Sequence, residues 1–392
     1  MKKKILFMMI NMNIGGTEKA LLNMINEMPR EQYDITILML EKYGGFLDSI
    51  PKWVHVKYLE EYRENKGILN NPPRETIRTT LKSIKLAKAL NLFYLFILSK
   101  ITKERSALFK YLLKSYPIEP TEYDIAIAYA GPIDFISFFV LEKIKAKKKI
   151  QWIHFDITKI GFNIHFASKF YRKFDQISVV SKEAKEKFVK LLPEIEQKTI
   201  VFKNIISVNE IKRLATDGEG FNDAFNGIRI LTVGRLTKEK GQDLIISVLA
   251  KLIKEGYKIK WYLIGEGGRR KEYEKLIQQN NLENDLILMG NKHNPYPFMK
   301  QCDIYVQPSR HEGHCITLAE AKCFEIPIIS TNFPAAFGHI THNHNGLIVN
   351  FEEEQMHNAI KSVILNENLR EKIKKNHVSQ EKDDKRDFWH AL

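Results

Sequence analysis

Two carboxylates eight positions apart, Glu312 and Glu320, stand in the segment Pro308–Thr331, PSRHEGHCITLAEAKCFEIPIIST. Between them lies a turn carrying Gly313, from which a helix is expected to open. Unpaired backbone N–H groups at a helix start, and the dipole behind them, attract an anion. A phosphate fits such a place. With a rise of about 1.5 Å per residue, the two carboxylates would reach hydroxyls on either side of a diphosphate, which is the outline of a nucleotide sugar. In isolation such a pair is ordinarily no more than a strand, a turn and a helix with a capping carboxylate. Its neighbours give it more weight. Asp303–Gln307 reads as a buried strand, Ile316–Phe324 as a helix and Ile326–Ser330 as another apolar strand. The pair therefore sits at the carboxyl end of a strand, where open parallel sheets bind ligands.

The elements that must hold this segment follow a βαβ rhythm. Lys4–Ile10 reads as a strand, Asn11–Gly16 as a turn with two glycines, Gly15 and Gly16, and Thr17–Met28 as a helix capped by Thr17. Apolar runs at Ile35–Leu40, Val54–Leu59, Ile125–Tyr129, Ile150–His154 and Ile177–Val180 alternate with helical stretches at Ile133–Ile144 and Lys182–Leu192. Polar, Gly- and Asp-containing residues at Ala215–Asn226 suggest a linker. A second series follows, with strands at Ile228–Val233, Ile259–Ile264, Leu286–Met289 and Leu347–Val349, and helices at Gly241–Glu255, Arg269–Asn280 and Pro297–Gln301. The expectation is an α/β chain of two facing Rossmann-like doubly wound domains with an interdomain cleft. The first spans 1–205 with a basic amphipathic insertion at 74–115, a linker covers 206–226, the second spans 227–375, and a tail occupies 376–392.

The bulk numbers agree with two domains. A chain of 392 residues exceeds one ordinary core, and 44% hydrophobic with 28% charged residues belongs to folded globular proteins. Three cysteines, Cys302, Cys315 and Cys323, form no metal-ligand spacing, and their odd number argues for a reducing, cytoplasmic setting. The start, MKKKILFMMINMN, has an apolar run of six residues and no small-residue cleavage site, so it reads as a first strand. A formal charge of +14 points to nucleic acid, an anionic membrane or phosphorylated substrates. No zinc-finger, RNP-like or aromatic-interleaved basic motif accompanies it, which sets nucleic acid aside. Residues 74–114 hold ten basic and two acidic residues around the apolar run Leu92–Leu98, too short to span a bilayer. Such a segment suits an anionic membrane surface, which implies a peripheral position on the inner face of the cell membrane; an amphipathic helix pair packed on the first domain is the other reading.

Five segments in order resemble the retaining nucleotide-sugar glycosyltransferases of the GT-B fold, the large bacterial group 1 (family 4) type. They are Gly15-Gly16-Thr17-Glu18, VGRLTKEKGQDLII from Val233, LIGEGGRRKEYEKLI from Leu263, GNKHNPYPFMKQCDIYVQPS from Gly290, and the Glu312–Glu320 segment. NPYPFMK is similar to the subgroup that builds surface polysaccharides. The resemblance implies that Arg235 and Lys240 grip the diphosphate in place of a metal, and the chain has no Asp-x-Asp to hold one. It implies that Glu320 takes the ribose hydroxyls and Glu312 the donor-sugar hydroxyls. The backbone of Gly313, His314, Cys315 and Ile316 would meet the distal phosphate, Gly15 and Gly16 would approach it from the first domain, and Gly290 and Asn291 would frame the base. His154, in QWIHFD, matches a histidine near sugar and acceptor; a lone histidine after a strand is otherwise a structural hydrogen-bonder. The fold often returns its tail to the first domain.

The implied activity moves a hexose-type sugar, with retention, from a nucleotide-diphosphate sugar to a glycan, glycolipid or lipid-linked acceptor. UDP is the base by family frequency, and neither cofactor nor metal is expected. The alternatives are a sugar-nucleotide epimerase on the same fold and an inactive GT-B scaffold beside another transferase. His314, Cys315, Glu325 and Gly338 depart from the family pattern beside the hexose pocket, which leaves the donor sugar open.

Overall fold

The computed structural model describes residues 2–71, 73–82, 86–158, 161–313 and 315–377. The chain divides into two compact units, one with the residues up to Glu18 and Glu27–Lys203, the other with Lys19–Asn26 and the residues from Asn204 onward.

The first unit is built on seven strands: β1 (Lys3–Met9), β2 (Tyr33–Met39), β3 (His55–Tyr58), β4 (Glu122–Gly131), β5 (Lys145–Ile153), β6 (Gln176–Val179) and β7 (Thr199–Val201). All pairings are parallel, in the order β3-β2-β1-β4-β5-β6-β7. Ile5–Met9 of β1 are fully buried, as a central parallel strand covered on both faces must be, and this is why the run is continuously apolar. Between β3 and β4 the chain forms helices at Glu61–Asn70, Pro73–Lys82, Leu86–Thr102 and Ser106–Leu112, which carry the basic insertion.

The second unit is built on six strands: β8 (Ile228–Val233), β9 (Ile259–Ile264), β10 (Leu286–Leu288), β11 (Ile304–Gln307), β12 (Ile328–Thr331) and β13 (Leu347–Val349). They too are all parallel, in the order β10-β9-β8-β11-β12-β13. Alternate residues feed two cores. Ile230, Trp261, Leu263, Val306 and Ile329 face one, together with Ile245, Leu249 and Leu252 of the helix Gln242–Lys254 and Met356, Ile360 and Val363 of the helix Glu353–Leu365. Leu231, Val233, Tyr262, Ile264 and Tyr305 face the other, with Tyr296, Phe298 and Leu318. Two-residue periodicity of the strands therefore loads both faces.

The stretch expected as a linker is part of this unit. Val208–Asp217 is helical, Phe221 lies 4.4 Å from the Tyr262 ring, and Asp223 pairs with Arg229 at 2.7 Å and accepts from the Tyr262 hydroxyl. Gly and Asp residues there serve packing turns, not a free tether. The 376–392 tail falls almost wholly outside the described residues; only Asn376 and His377 close the helix Glu367–His377.

Gly265 fixes the loop geometry at the carboxyl end of β9. Its φ is +145°, and a Cβ there would lie 2.0 Å from the carbonyl oxygen of Gly234. The loops after β8 and β9 are thus pressed backbone against backbone. Gly265→Ala should lower the unfolding free energy of the second unit by about 2–4 kcal/mol, read from urea denaturation followed by Trp261 fluorescence; an unchanged midpoint would show that the loops part without cost.

Candidate functional site

In the second unit the strand order reverses between β8 and β11, and open parallel sheets bind ligands at the carboxyl ends of such a strand pair. The loop after β8 carries Arg235 and Lys240, and the loop after β11 carries Ser309 to Gly313. Gly241 joins them. Its φ is +68°, and a Cβ would stand 2.0 Å from the Pro308 carbonyl, so the start of the helix Gln242–Lys254 lies directly against the β11 loop. Arg310 locks the two together: its guanidinium makes paired bonds to the Asp243 carboxylate at 2.7 and 2.5 Å, its backbone N–H donates to the Glu239 carbonyl at 2.7 Å, and it lies 4.0 Å over the Phe351 ring. A two-point guanidinium–carboxylate contact sets angle as well as distance.

Lys240 and Glu312 meet as a consequence. The Lys240 Nζ donates to Glu312 Oε1 at 2.5 Å, and both side chains are nearly buried, 15% and 11% exposed. Ser309 Oγ also donates to that carboxylate oxygen at 2.7 Å, and Gln307 Nε2 at 3.4 Å. Gln307 is itself held by the Tyr305 hydroxyl at 2.8 Å and the Thr317 hydroxyl at 3.2 Å. Burial pulls the Lys240 ammonium down, and the adjacent Glu312 carboxylate more than offsets this, so the group lies above the ordinary lysine value. Arg235 is exposed at the mouth of the same loop, close enough for its charge to oppose that rise.

Glu320 is 3% exposed and accepts a hydrogen bond from the Tyr296 hydroxyl at 2.7 Å. Its carboxyl is raised by burial, against the opposing pull of the Lys19 ammonium and the Tyr296 hydroxyl. Burial raises the Tyr305 hydroxyl, and Glu320 and Glu312 both add to that rise. The structure brings Lys240 and Glu312 into contact with Arg235 adjoining, and sets Glu320 within electrostatic reach of the same Tyr305 hydroxyl.

The helix that follows is shorter than expected, Ile316–Ala321. Cys315 precedes it in the left-handed region, φ 53°, a conformation seldom taken by a residue with a Cβ. Six residues carry little macrodipole, so anion attraction here rests on Lys240, Arg235 and single N–H groups rather than on the helix. Burial pushes the Cys315 thiol up, leaving it neutral. Gly313 is half-buried in the turn, Ile316 opens the helix, and His314 lies outside the described residues. Gly290 has φ +70° and accepts from the Gly265 N–H at 2.9 Å, and Asn291 is exposed beside it, so both stand at the carboxyl end of β10.

The remaining expected residues belong to the first unit. Gly15 and Gly16 follow β1, and neither is among the positive-φ glycines. The reason for a glycine at 15 is local: a Cβ would stand 2.5 Å from the Glu18 carboxylate. His154, at the end of β5, is buried with its ring 4.4 Å edge-on to Tyr129 and 6.0 Å stacked on Trp152. Burial pushes its imidazole down to about 3, against a hydrogen bond with the Tyr129 carbonyl that favours the charged form. It is neutral at pH 7, and its Nε2 makes no hydrogen bond among the described residues. Sequence reasoning missed Gln307, Ser309, Arg310 and Tyr296. Tyr296 lay in the quoted NPYPFMK stretch and Ser309 and Arg310 beside Glu312, but nothing in their spacing reports a hydroxyl or guanidinium aimed at a distant partner.

Comparison with known proteins points one way. Residues 222–380 match the family model for glycosyl transferases group 1. A Campylobacter jejuni 4-alpha-N-acetylgalactosaminyltransferase, acting on N-acetylgalactosamine-N,N'-diacetylbacillosaminyl-diphospho-undecaprenol, is 28% identical over 54% of this chain and 57% of its own. The Escherichia coli O-antigen biosynthesis glycosyltransferase WclY is 29% identical over 41% and 44%. The chain thus spans about half the length of these curated relatives. Two solved structures share the fold: the Anabaena protein HepE in complex with UDP and glucose, with a TM-score of 0.69, 18% identity and 96% and 93% coverage, and a mutant of Staphylococcus aureus TarM holding UDP, with 0.66, 16%, 96% and 95%.

Removing one member of the Lys240–Glu312 pair strands the other charge, so Lys240→Met should cost about 3 kcal/mol or more, while Lys240→Met with Glu312→Leu should recover a large part. The sign with pH follows: with its folded-state value above the ordinary 10.5, Lys240 stabilises throughout the neutral range, and the contribution is lost only as pH rises through that higher value. Urea denaturation of the four proteins measures both. His154 behaves oppositely, its contribution being present above its ordinary 6.5 and lost as pH falls toward the lowered value. The stability difference between the unaltered protein and His154→Gln should therefore shrink from about pH 7 to about pH 4; a constant difference contradicts the buried neutral imidazole.

Proposed function

We propose, for a chain that belongs to the group 1 glycosyltransferases and carries their GT-B fold, that it moves a hexose-type sugar from a UDP-sugar to a glycan, glycolipid or lipid-linked acceptor in surface-polysaccharide synthesis. The observation that carries this is the buried Lys240–Glu312 pair at the β8–β11 crevice, with Arg235 beside it and Glu320 held by Tyr296. The relatives support the setting: one is named for O-antigen biosynthesis, another for a diphospho-undecaprenol acceptor.

An ammonium has three donors. One satisfies Glu312, leaving two for a diphosphate, and Arg235 adds a second cation at the mouth. These charges match the negative charge that grows on the nucleoside diphosphate as its bond to the sugar breaks, and in this reading they take the part that a divalent ion plays in other transferases. The C1–oxygen bond breaks with its electron pair passing to the phosphate. The acceptor hydroxyl forms the new bond on the same face of the ring, and its proton goes to the departing phosphate oxygen, which keeps the anomeric configuration without an enzymic nucleophile. Glu312, through its second oxygen, orients the sugar hydroxyls, and Glu320 those of the ribose. His154, neutral, offers Nε2 as a hydrogen-bonding partner to sugar or acceptor, and backbone groups of Gly313, Cys315 and Ile316 with Gly15 and Gly16 approach the phosphate. Gly290 and Asn291 border the base.

A panel of UDP-, GDP-, ADP- and dTDP-sugars with EDTA tests this by thermal shift and slow hydrolysis. A UDP-sugar should raise the melting temperature without metal, and Lys240→Ala should abolish the rise. Glu312→Gln should keep nucleotide binding and cut turnover about 100-fold or more. NMR of the released sugar should show the donor's own anomeric configuration first; the inverted anomer, or a shift restored only by a divalent ion, overturns the mechanism.

A further inference from the structure

The helix Leu86–Thr102 of the first unit is apolar on two sides. Ala89, Leu92, Leu95 and Phe96 are buried in the unit. Leu86, Leu90, Phe93, Tyr94, Ile97 and Ile101 are exposed, Tyr94 by 62% and Ile101 by 72%. At about 100° per residue these six fall within one arc of about 100°, opposite the buried face. They make up six of the thirteen exposed large hydrophobic residues among those described. The hydroxyls of Ser99 and Thr102 donate to the helix's own carbonyls of Leu95 and Leu98 at 2.8 and 2.9 Å, so two polar side chains are internally satisfied. A helix apolar on both sides ordinarily has a second apolar surface against it.

The charge around the stripe identifies that surface. Lys100 is exposed on the same helix, Lys103 just beyond its end, Lys110 and Lys114 on the following segment, and Arg74 and Arg78 on the preceding helix, while Lys88 is half-buried. Of the two acidic residues in 74–114, Glu104 is buried and tied to Lys169 at 2.8 Å. An apolar stripe within a cationic border matches an anionic lipid interface, where aliphatic and aromatic side chains enter the acyl boundary and lysines stay among the headgroups. Seventeen residues make about 25 Å of helix, less than a bilayer core of about 30 Å, and no helix among the described residues is long and apolar enough to cross a membrane. We propose that Leu86–Thr102 lies along an anionic membrane surface and holds the first unit there by its outer face. The sequence placed this contact on the basic segment around the apolar run Leu92–Leu98; the outer face of Leu86–Thr102 extends the apolar hold to Leu86, Leu90 and Ile101. The inference is independent of the donor reading.

Flotation of the full chain with vesicles of phosphatidylcholine containing phosphatidylglycerol tests it. The unaltered protein should float at low salt and less so as phosphatidylglycerol is omitted. Replacing Phe93, Ile97 and Ile101 together by Ser should cut partitioning by about tenfold or more, with the melting temperature and the UDP-sugar thermal shift unchanged. Lys100→Glu with Lys103→Glu should weaken binding chiefly at low salt. A protein that stays with the pellet at low salt, or whose serine variant floats as well as the original, overturns the proposal. So does a dimer in sedimentation velocity that the serine variant turns into a monomer with no vesicle binding, since the stripe would then cover a second copy.

Discussion

The second unit is organised around a charge pair that neither partner could sustain alone. A buried ammonium without a carboxylate, or the reverse, carries a desolvation cost of several kcal/mol, which the 2.5 Å contact between Lys240 and Glu312 offsets. Everything nearby serves to keep that distance. Gly241 lets the β8 loop touch the β11 loop at Pro308, Arg310 and Asp243 fix their angle, and Ser309 and Gln307 take up lone pairs that the lysine leaves. The site is therefore set before any ligand arrives, which is the condition under which fixed charges act most strongly on a reaction.

Much of the frame was legible in the residues. β8, β9 and β13 have the bounds that their apolar runs give, Ile228–Val233, Ile259–Ile264 and Leu347–Val349, because their apolar side chains load the two cores while Arg229 and Lys260 sit near the strands' starts. β5 shows where that logic fails. It begins at Lys145, five residues before the apolar run, since Lys147 reaches Asp124 and Lys149 reaches the Leu141 carbonyl while their backbones stay in the ladder. The helix Glu353–Leu365 went unread because its acidic first turn reads as surface, although Met356, Ala359, Ile360 and Val363 keep the helical spacing of an inward face. The Ala215–Asn226 stretch misled through composition, because Gly and Asp there make tight packing turns.

The candidate site was legible in its types and opaque in its pairings. Arg235, Lys240, Glu312 and Glu320 stood out, but sequence cannot show that the second and third are partners, 72 positions apart. Nor could it show that Glu320 is held by Tyr296, 24 positions away. Such contacts come from how strands are ordered in the sheet, which spacing along the chain does not encode. The glycine pair at 15 and 16 was legible as a turn, whereas the proximity of the Glu18 carboxylate that excludes a Cβ was not.

Arg235, Lys240, Glu312 and the Tyr296–Glu320 bond lie on one stretch of chain in the second unit, with Lys19 acting on Glu320 from far away in sequence. The family model has this shape, covering residues 222–380. A recombination joining that block to a different first half would keep the Lys240–Glu312 pair and the Tyr296–Glu320 bond but part Glu320 from Lys19.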